Sequence, residues 1–125
     1  MPDNRPIVVN INAVTHRYGR LLALDDVSMS VPSGSSVAFI GPDGVGKSTL
    51  LALIAGVKRI QRGSVAVFGG DMASHRHRDA VAARVAYMPQ GLGRNLYPTL
   101  SVVENIDFFW RLYGESKRER QRRIE

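Results

Sequence analysis

Residues Gly41-Pro42-Asp43-Gly44-Val45-Gly46-Lys47-Ser48-Thr49 satisfy the pattern G-x-x-x-x-G-K-[ST], which demands a strand, a tight loop and a helix in that order. The flanks agree. Apolar Val37-Ala38-Phe39-Ile40 precedes the loop, and the strongly helical run Ser48 to Ala55 follows it, with Gly56 as a C-terminal stop. A polyphosphate needs several N–H donors converging on one point, so the backbone must wrap closely without Cβ atoms in the way. Gly41, Gly44 and Gly46 permit that wrap. The helix beginning near Lys47 adds the positive end of its dipole and unpaired N–H groups. Lys47 would bring a full charge to the β- and γ-phosphates, the Ser48 hydroxyl can ligate Mg²⁺, and Thr49 is a second donor. Nucleotide binding follows from this loop. The reaction does not, because GTPases, kinases, motors and transport ATPases all use it.

The rest of the chain reads as an α/β domain of the P-loop kind. Ile7 to Val14 is β-branched and partly alternating, and Val27 to Val31 alternates apolar with polar, so each predicts a strand, the second half-buried. Pro32-Ser33-Gly34 predicts a turn, and Val37 to Ile40 a short strand buried on both faces. Val65 to Phe68 predicts a strand closed by Gly69-Gly70-Asp71; Asp79 to Arg84 predicts a short helix; Val85 to Met88 predicts an apolar strand stopped at Pro89. Ser101-Val102-Val103-Glu104 forms a capping box that opens a helix. Val102, Ile106, Phe109 and Tyr113 recur there at helical spacing, and Gly114 ends it. Ser116-Lys117-Arg118-Glu119 repeats the box and opens another helix, with Ile124 as its apolar anchor.

At 125 residues the chain suits one domain, and it has no cysteine, which excludes disulfides and thiolate chemistry. The longest apolar run, Leu50 to Val57, contains a glycine and is far short of a membrane span. Met1 to Pro6 predicts no secretory leader. The formal net charge is +6, concentrated at Lys117, Arg118, Arg120, Arg122 and Arg123. That run could meet nucleic acid or an anionic membrane face; a solvated helix face whose acidic partners lie past the last residue is the expected reading.

Tyr18, then Ala23-Leu24-Asp25-Asp26-Val27-Ser28, Gly34, the phosphate loop, Tyr87-Met88-Pro89-Gln90 and Thr99-Leu100-Ser101-Val102-Val103-Glu104-Asn105 occur in one order. From about Ile7 to the end, the chain resembles the N-terminal part of an ABC-type ATPase cassette. The resemblance implies that residues 1–125 belong to one ATP-binding domain, with 116–125 starting its helical region, incomplete, before the signature segment. It implies ATP and Mg²⁺ as cofactors, with Tyr18 stacking on adenine through its ring and not its hydroxyl. Gln90 would approach Mg²⁺ and the attacking water. Leu92 to Pro98 would face a transmembrane partner, although Leu92, Leu96 and Tyr97 could equally cover the core. Implied partners are a transmembrane domain and a second cassette, with no sequence-specific DNA binding, at the cytoplasmic face of the inner membrane. The wording from Gly41 through Gly114 is most similar to bacterial export-type cassettes, nearest the ribosome-associated ATPase, which implies export or a ribosome-linked task. Asp43 stands where Asn is usual and Val45 where a smaller residue is usual; a carboxylate beside phosphates is unfavourable, so Asp43 should point outward or bond locally.

Three other patterns invite chemistry and are set aside. Val65 to Asp71 mimics a strand ending in a Mg²⁺-binding acid, but two glycines intervene, so Asp71 is read as a turn residue. His75-Arg76-His77-Arg78 offers too few ligands for a metal and is read as plain surface. Asp43-Gly44-Val45-Gly46 fits D-x-x-G, but no guanine-reading Asn-Lys-x-Asp occurs. A Leu-Ser-Gly-Gly-Gln-like signature and a strand ending Asp-Glu are also missing from these residues, so the 125-residue chain alone is expected to hold nucleotide without turning it over. A non-hydrolysing regulatory module and a small P-loop kinase are the alternatives.

Overall fold

The alternation along the N-terminal third produces a long hairpin, β1 (Ile7–Tyr18) against β2 (Leu21–Pro32), closed at Tyr18↔Leu21. A computed structural model describes residues 4–91 and 96–124. β3 (Arg62–Val67) pairs with the other edge of β1, and the two-residue β4 (Gly70–Asp71) pairs with β3, giving an antiparallel sheet in the order β2-β1-β3-β4. The hairpin register shifts between Ile11 and Val14 and between Val14 and His16, with Ala13 and Asp26 at positive φ. Side chains complete the ladder at these bulges: Ala13 N–H donates to Ser28 Oγ at 2.9 Å and Asp26 N–H to Thr15 Oγ1 at 3.1 Å.

α1 (Lys47–Ile54) buries Leu50, Ala52 and Leu53. Leu50 and Leu53 join Ile11, Val14, Leu24, Val65, Val67, Met72 and Val81 in one apolar core. α2 (His75–Val81) runs on into a 3₁₀ turn at Ala82–Arg84. The helix expected from Asp79 thus starts at His75, because the Ser74 side chain accepts from His77 N–H at 3.3 Å and caps it. The His75–Arg78 run is also more than plain surface. His77 Nε2 lies 2.8 Å from the Val67 carbonyl and Arg78 donates to the carbonyls of Met72 and Ala73, so two of the four pin α2 to the sheet turn. Asp71 behaves as a turn residue, its Oδ1 accepting from Ala73 N–H at 2.8 Å.

Two expected strands do not form. Val37–Ile40 and Val85–Met88 join no sheet among the described residues, and Ile40 and Met88 are 95% and 85% exposed. A strand buried on both faces takes hydrogen bonds from neighbours on both sides, and the paired strands here satisfy one another without either segment.

Residues Met1–Tyr87 form one compact unit and Met88–Glu125 a second. In the second, α3 (Val102–Leu112) opens on the expected capping box, with Ser101 Oγ accepting from Glu104 N–H and the Glu104 carboxylate from Ser101 N–H at 2.8 Å. Buried Asn105 fastens the preceding turn: its Oδ1 accepts from Tyr97 N–H at 2.7 Å and its amide nitrogen lies 3.0 Å from three carbonyls, those of Tyr97, Leu100 and Ser101. Of the segment expected to face a partner, Leu92 lies outside the described residues, while Leu96 is exposed and Tyr97 sets its ring edge-on to Phe108 at 4.8 Å.

α4 (Lys117–Ile124) corrects the reading of the basic run, because its acidic partners lie within the chain. Arg120 Nε meets Asp107 at 2.6 Å, Arg122 and Arg123 share Glu119 at 2.8 Å, and Arg123 also covers the Trp110 ring. With Glu119 so engaged, only the Ser116 half of the second capping box forms, accepting from Glu119 N–H at 3.3 Å. The bond from Arg120, then that from Arg111, holds the Asp107 carboxyl below its ordinary range. A depressed carboxyl stabilises the fold above its unfolded pKa and loses that contribution as pH falls through the folded one. We therefore expect α3 and α4 to separate on acidification below the usual carboxylate range. Melting curves from pH 7 to pH 3 should show Asp107→Asn less stable at neutral pH and less acid-sensitive than the parent.

Candidate nucleotide site

Gly46 is the N-cap of α1, at φ 92°, a left-handed conformation that glycine adopts without strain. No side chain caps this helix and no acidic residue stands in its first turn, so no carboxylate there opposes an incoming anion. Gly46 also lies hard against β2, where the position of a Cβ would fall 2.1 Å from the Ala23 carbonyl oxygen. The hairpin thereby presses the loop onto the start of α1. Lys47 Nζ donates to the carbonyls of Gly41 at 2.6 Å and Pro42 at 2.5 Å, curling over the loop from its helix end. Ser48 is exposed beside it, as are Gly41, Gly44 and Asp43.

Tyr18 sits at the last position of β1, 44% exposed. Its backbone neighbour Arg17 is clamped by Gln61, which accepts from Arg17 N–H at 2.8 Å and donates to Arg17 C=O at 3.0 Å, extending the pairing beyond the end of β3. The Tyr18 hydroxyl reaches the Thr49 hydroxyl at 3.0 Å, so Thr49, buried on α1, is engaged by the aromatic. Lys58 Nζ stands 4.8 Å from the Tyr18 ring centroid, and the His16 ring meets Tyr18 edge-on at 4.9 Å. The bond to Thr49, followed by the nearby Lys58 ammonium, holds the Tyr18 hydroxyl pKa below its ordinary value. His16 is 4% exposed, and burial followed by the Lys58 charge keeps its pKa low and its ring neutral at physiological pH.

The first unit therefore gathers Tyr18, Gly41, Gly44, Gly46, Lys47, Ser48 and Thr49 at one end of the sheet. Gln90 belongs to the second unit and is exposed. Sequence reasoning missed Gln61, Lys58 and His16, which bear on Tyr18 directly. A Gln pairing with backbone 44 residues away leaves no local pattern, and only the spacing of His16 and Tyr18 on one face of β1 hinted at their contact.

A glycine loop of this form, closed by its own lysine and opening a helix against a sheet, defines a P-loop nucleotide-binding domain. The profile of the ABC transporter family matches residues 24–125, and the chain belongs to that family. It is 37% identical over 116 residues to the sn-glycerol-3-phosphate import ATP-binding protein UgpC 1 of Rhizobium johnstonii, covering 93% of this chain and 30% of the relative. It is 33% identical over 125 residues to the sulfate/thiosulfate import ATP-binding protein CysA of Synechococcus elongatus, covering 100% of this chain and 35% of the relative. The chain thus spans about a third of the length of these curated relatives. A solved ATP-binding subunit of an ABC transporter superposes with a TM-score of 0.77 at 29% identity, over 93% of this chain and 47% of that one. These relatives are named for import, so the expected closeness to export-type and ribosome-associated cassettes finds no support among them. Among the described residues no helix is long and apolar enough to cross a membrane.

Proposed function

We propose that this chain supplies the ATP-holding part of an ABC transporter ATPase, binding the base at Tyr18 and the phosphates at Gly41–Thr49. The observation that carries the reading is the Tyr18–Thr49 contact, which sets an exposed aromatic ring beside the helix whose first turn holds no acidic residue. The donor set suits Mg²⁺, a hard cation that takes oxygen ligands: the Ser48 hydroxyl is exposed at the start of α1 with no carboxylate in that turn to draw the ion elsewhere. Ser48 would hold the ion, which when bound neutralises charge on the phosphates; the part of Gln90 in holding it rests on the family resemblance alone. Lys47 would exchange its loop carbonyls for phosphate oxygens, and the Gly46 turn would hold the N–H donors convergent.

In this reading the partners are a transmembrane domain and a second cassette, and the protein works at the cytoplasmic face of a membrane. The names of the relatives favour uptake as the coupled task over export or ribosome work. Residues 1–125 are proposed to be one ATP-binding domain's N-terminal part, with 116–125 entering its helical region. Alone they hold nucleotide without turnover, since no acid in this set is assigned to polarise water.

Titration with a fluorescent ATP analogue tests the base site. Tyr18→Ala is expected to weaken binding by about 1–3 kcal/mol, the worth of one base–aromatic stack. An unchanged affinity in the folded variant removes the base site from Tyr18. Steady phosphate release from the 125-residue chain, abolished by Lys47→Ala, would show instead that a catalytic acid lies within it.

A further inference from the structure

Stacking on a base needs only the ring of Tyr18, so its hydroxyl is unexplained by base binding. That hydroxyl is nonetheless committed. It lies 3.0 Å from Thr49 Oγ1, and the Lys58 ammonium, past the end of α1, stands over the ring at 4.8 Å from its centroid. Thr49 is 7% exposed, and it follows Ser48 directly in the first turn of α1. A helical threonine left to itself turns its hydroxyl back to the carbonyl four residues earlier, which bends the helix and here would draw on Val45 within the phosphate loop.

We propose that the Tyr18 hydroxyl is a positioning group for the phosphate loop: by holding the Thr49 hydroxyl it fixes the first turn of α1, so that a ring serving the base also sets the geometry offered to the phosphates. The inference rests on the reading that Gly41–Thr49 holds a polyphosphate. It predicts something stacking alone cannot produce, namely that Tyr18 matters to a ligand with no base.

The test is titration of the full chain with tripolyphosphate and, separately, with ATP. Tyr18→Phe keeps the ring and is expected to lower tripolyphosphate affinity about three- to tenfold, the worth of one hydrogen bond to a buried partner. Thr49→Val should give the same loss, the double variant no further loss, and Thr49→Ser, which restores a hydroxyl, the parental affinity. Melting temperatures identify any variant that has not folded, and the Thr49→Ser and Thr49→Val pair then carries the comparison. Lys47→Ala is the reference. If it loses tripolyphosphate while Tyr18→Phe does not, the positioning role is overturned and the phosphate loop stands. If neither loses it, the phosphate-loop reading is overturned and the positioning role goes with it.

Discussion

Lys47→Ala is expected to weaken ATP binding about 10- to 100-fold. Each charge-assisted bond from the ammonium to a phosphate oxygen contributes about 1.5–3 kcal/mol. The gain is net of what the lysine gives up, because Nζ already holds the carbonyls of Gly41 and Pro42. Two good acceptors are exchanged for two charged ones, and the difference is what the mutation removes. Titration with a fluorescent ATP analogue measures it, with a melting curve alongside, since alanine also frees the loop from its latch. Parental affinity in a folded Lys47→Ala protein would sink the phosphate-loop assignment.

Gly46→Ala should be still more damaging, and to the fold as well as the site. A Cβ there would meet backbone, the Ala23 carbonyl oxygen at 2.1 Å, and the Leu24 side chain at 2.8 Å. Backbone cannot swing aside as a lysine tip can. The substitution must either lift α1 from β2 or change φ at Gly46, and at φ 92° an alanine is strained even with free space. Overpacking and strain together are expected to cost about 3 kcal/mol or more. Urea denaturation reads this directly. Gly44→Ala is the control, because nothing stands within 4 Å of its Cβ position and it carries only the strain of positive φ. Equal losses at the two positions would show that the approach to Ala23 is not what Gly46 is for.

The contrast between these glycines shows what could be read along the chain and what could not. The spacing of Gly41, Gly44, Gly46 and Lys47 announces an anion-binding loop at helix α1, and the structure builds that helix from Lys47. The capping box at Ser101 and Glu104 likewise appears where it is written, because both partners lie within one turn. Nothing in the sequence says which of the three glycines touches another element. The Ala23 carbonyl that makes Gly46 irreplaceable arrives from a different strand.

The same divide explains the misreadings. Val37–Ile40 and Val85–Met88 carry apolar side chains suited to a buried strand, yet strand formation depends on a neighbouring strand, and among the described residues neither segment joins the sheet. The basic run from Lys117 looks unbalanced in one dimension, while in three Asp107 reaches Arg120 across two helices. The family resemblance picked out Tyr18, but not its bond to Thr49 or its clamp through Gln61 and Arg17.

Chemistry that lives within a few consecutive residues, the phosphate loop and the starts of α1 and α3, was determined by sequence alone, because local backbone geometry and capping need no distant partner. Tertiary structure alone decided which glycine is packed shut, which apolar runs become strands, how the arginines are paired, and what the Tyr18 hydroxyl holds. Each of those depends on a group brought close only when the sheet and helices pack.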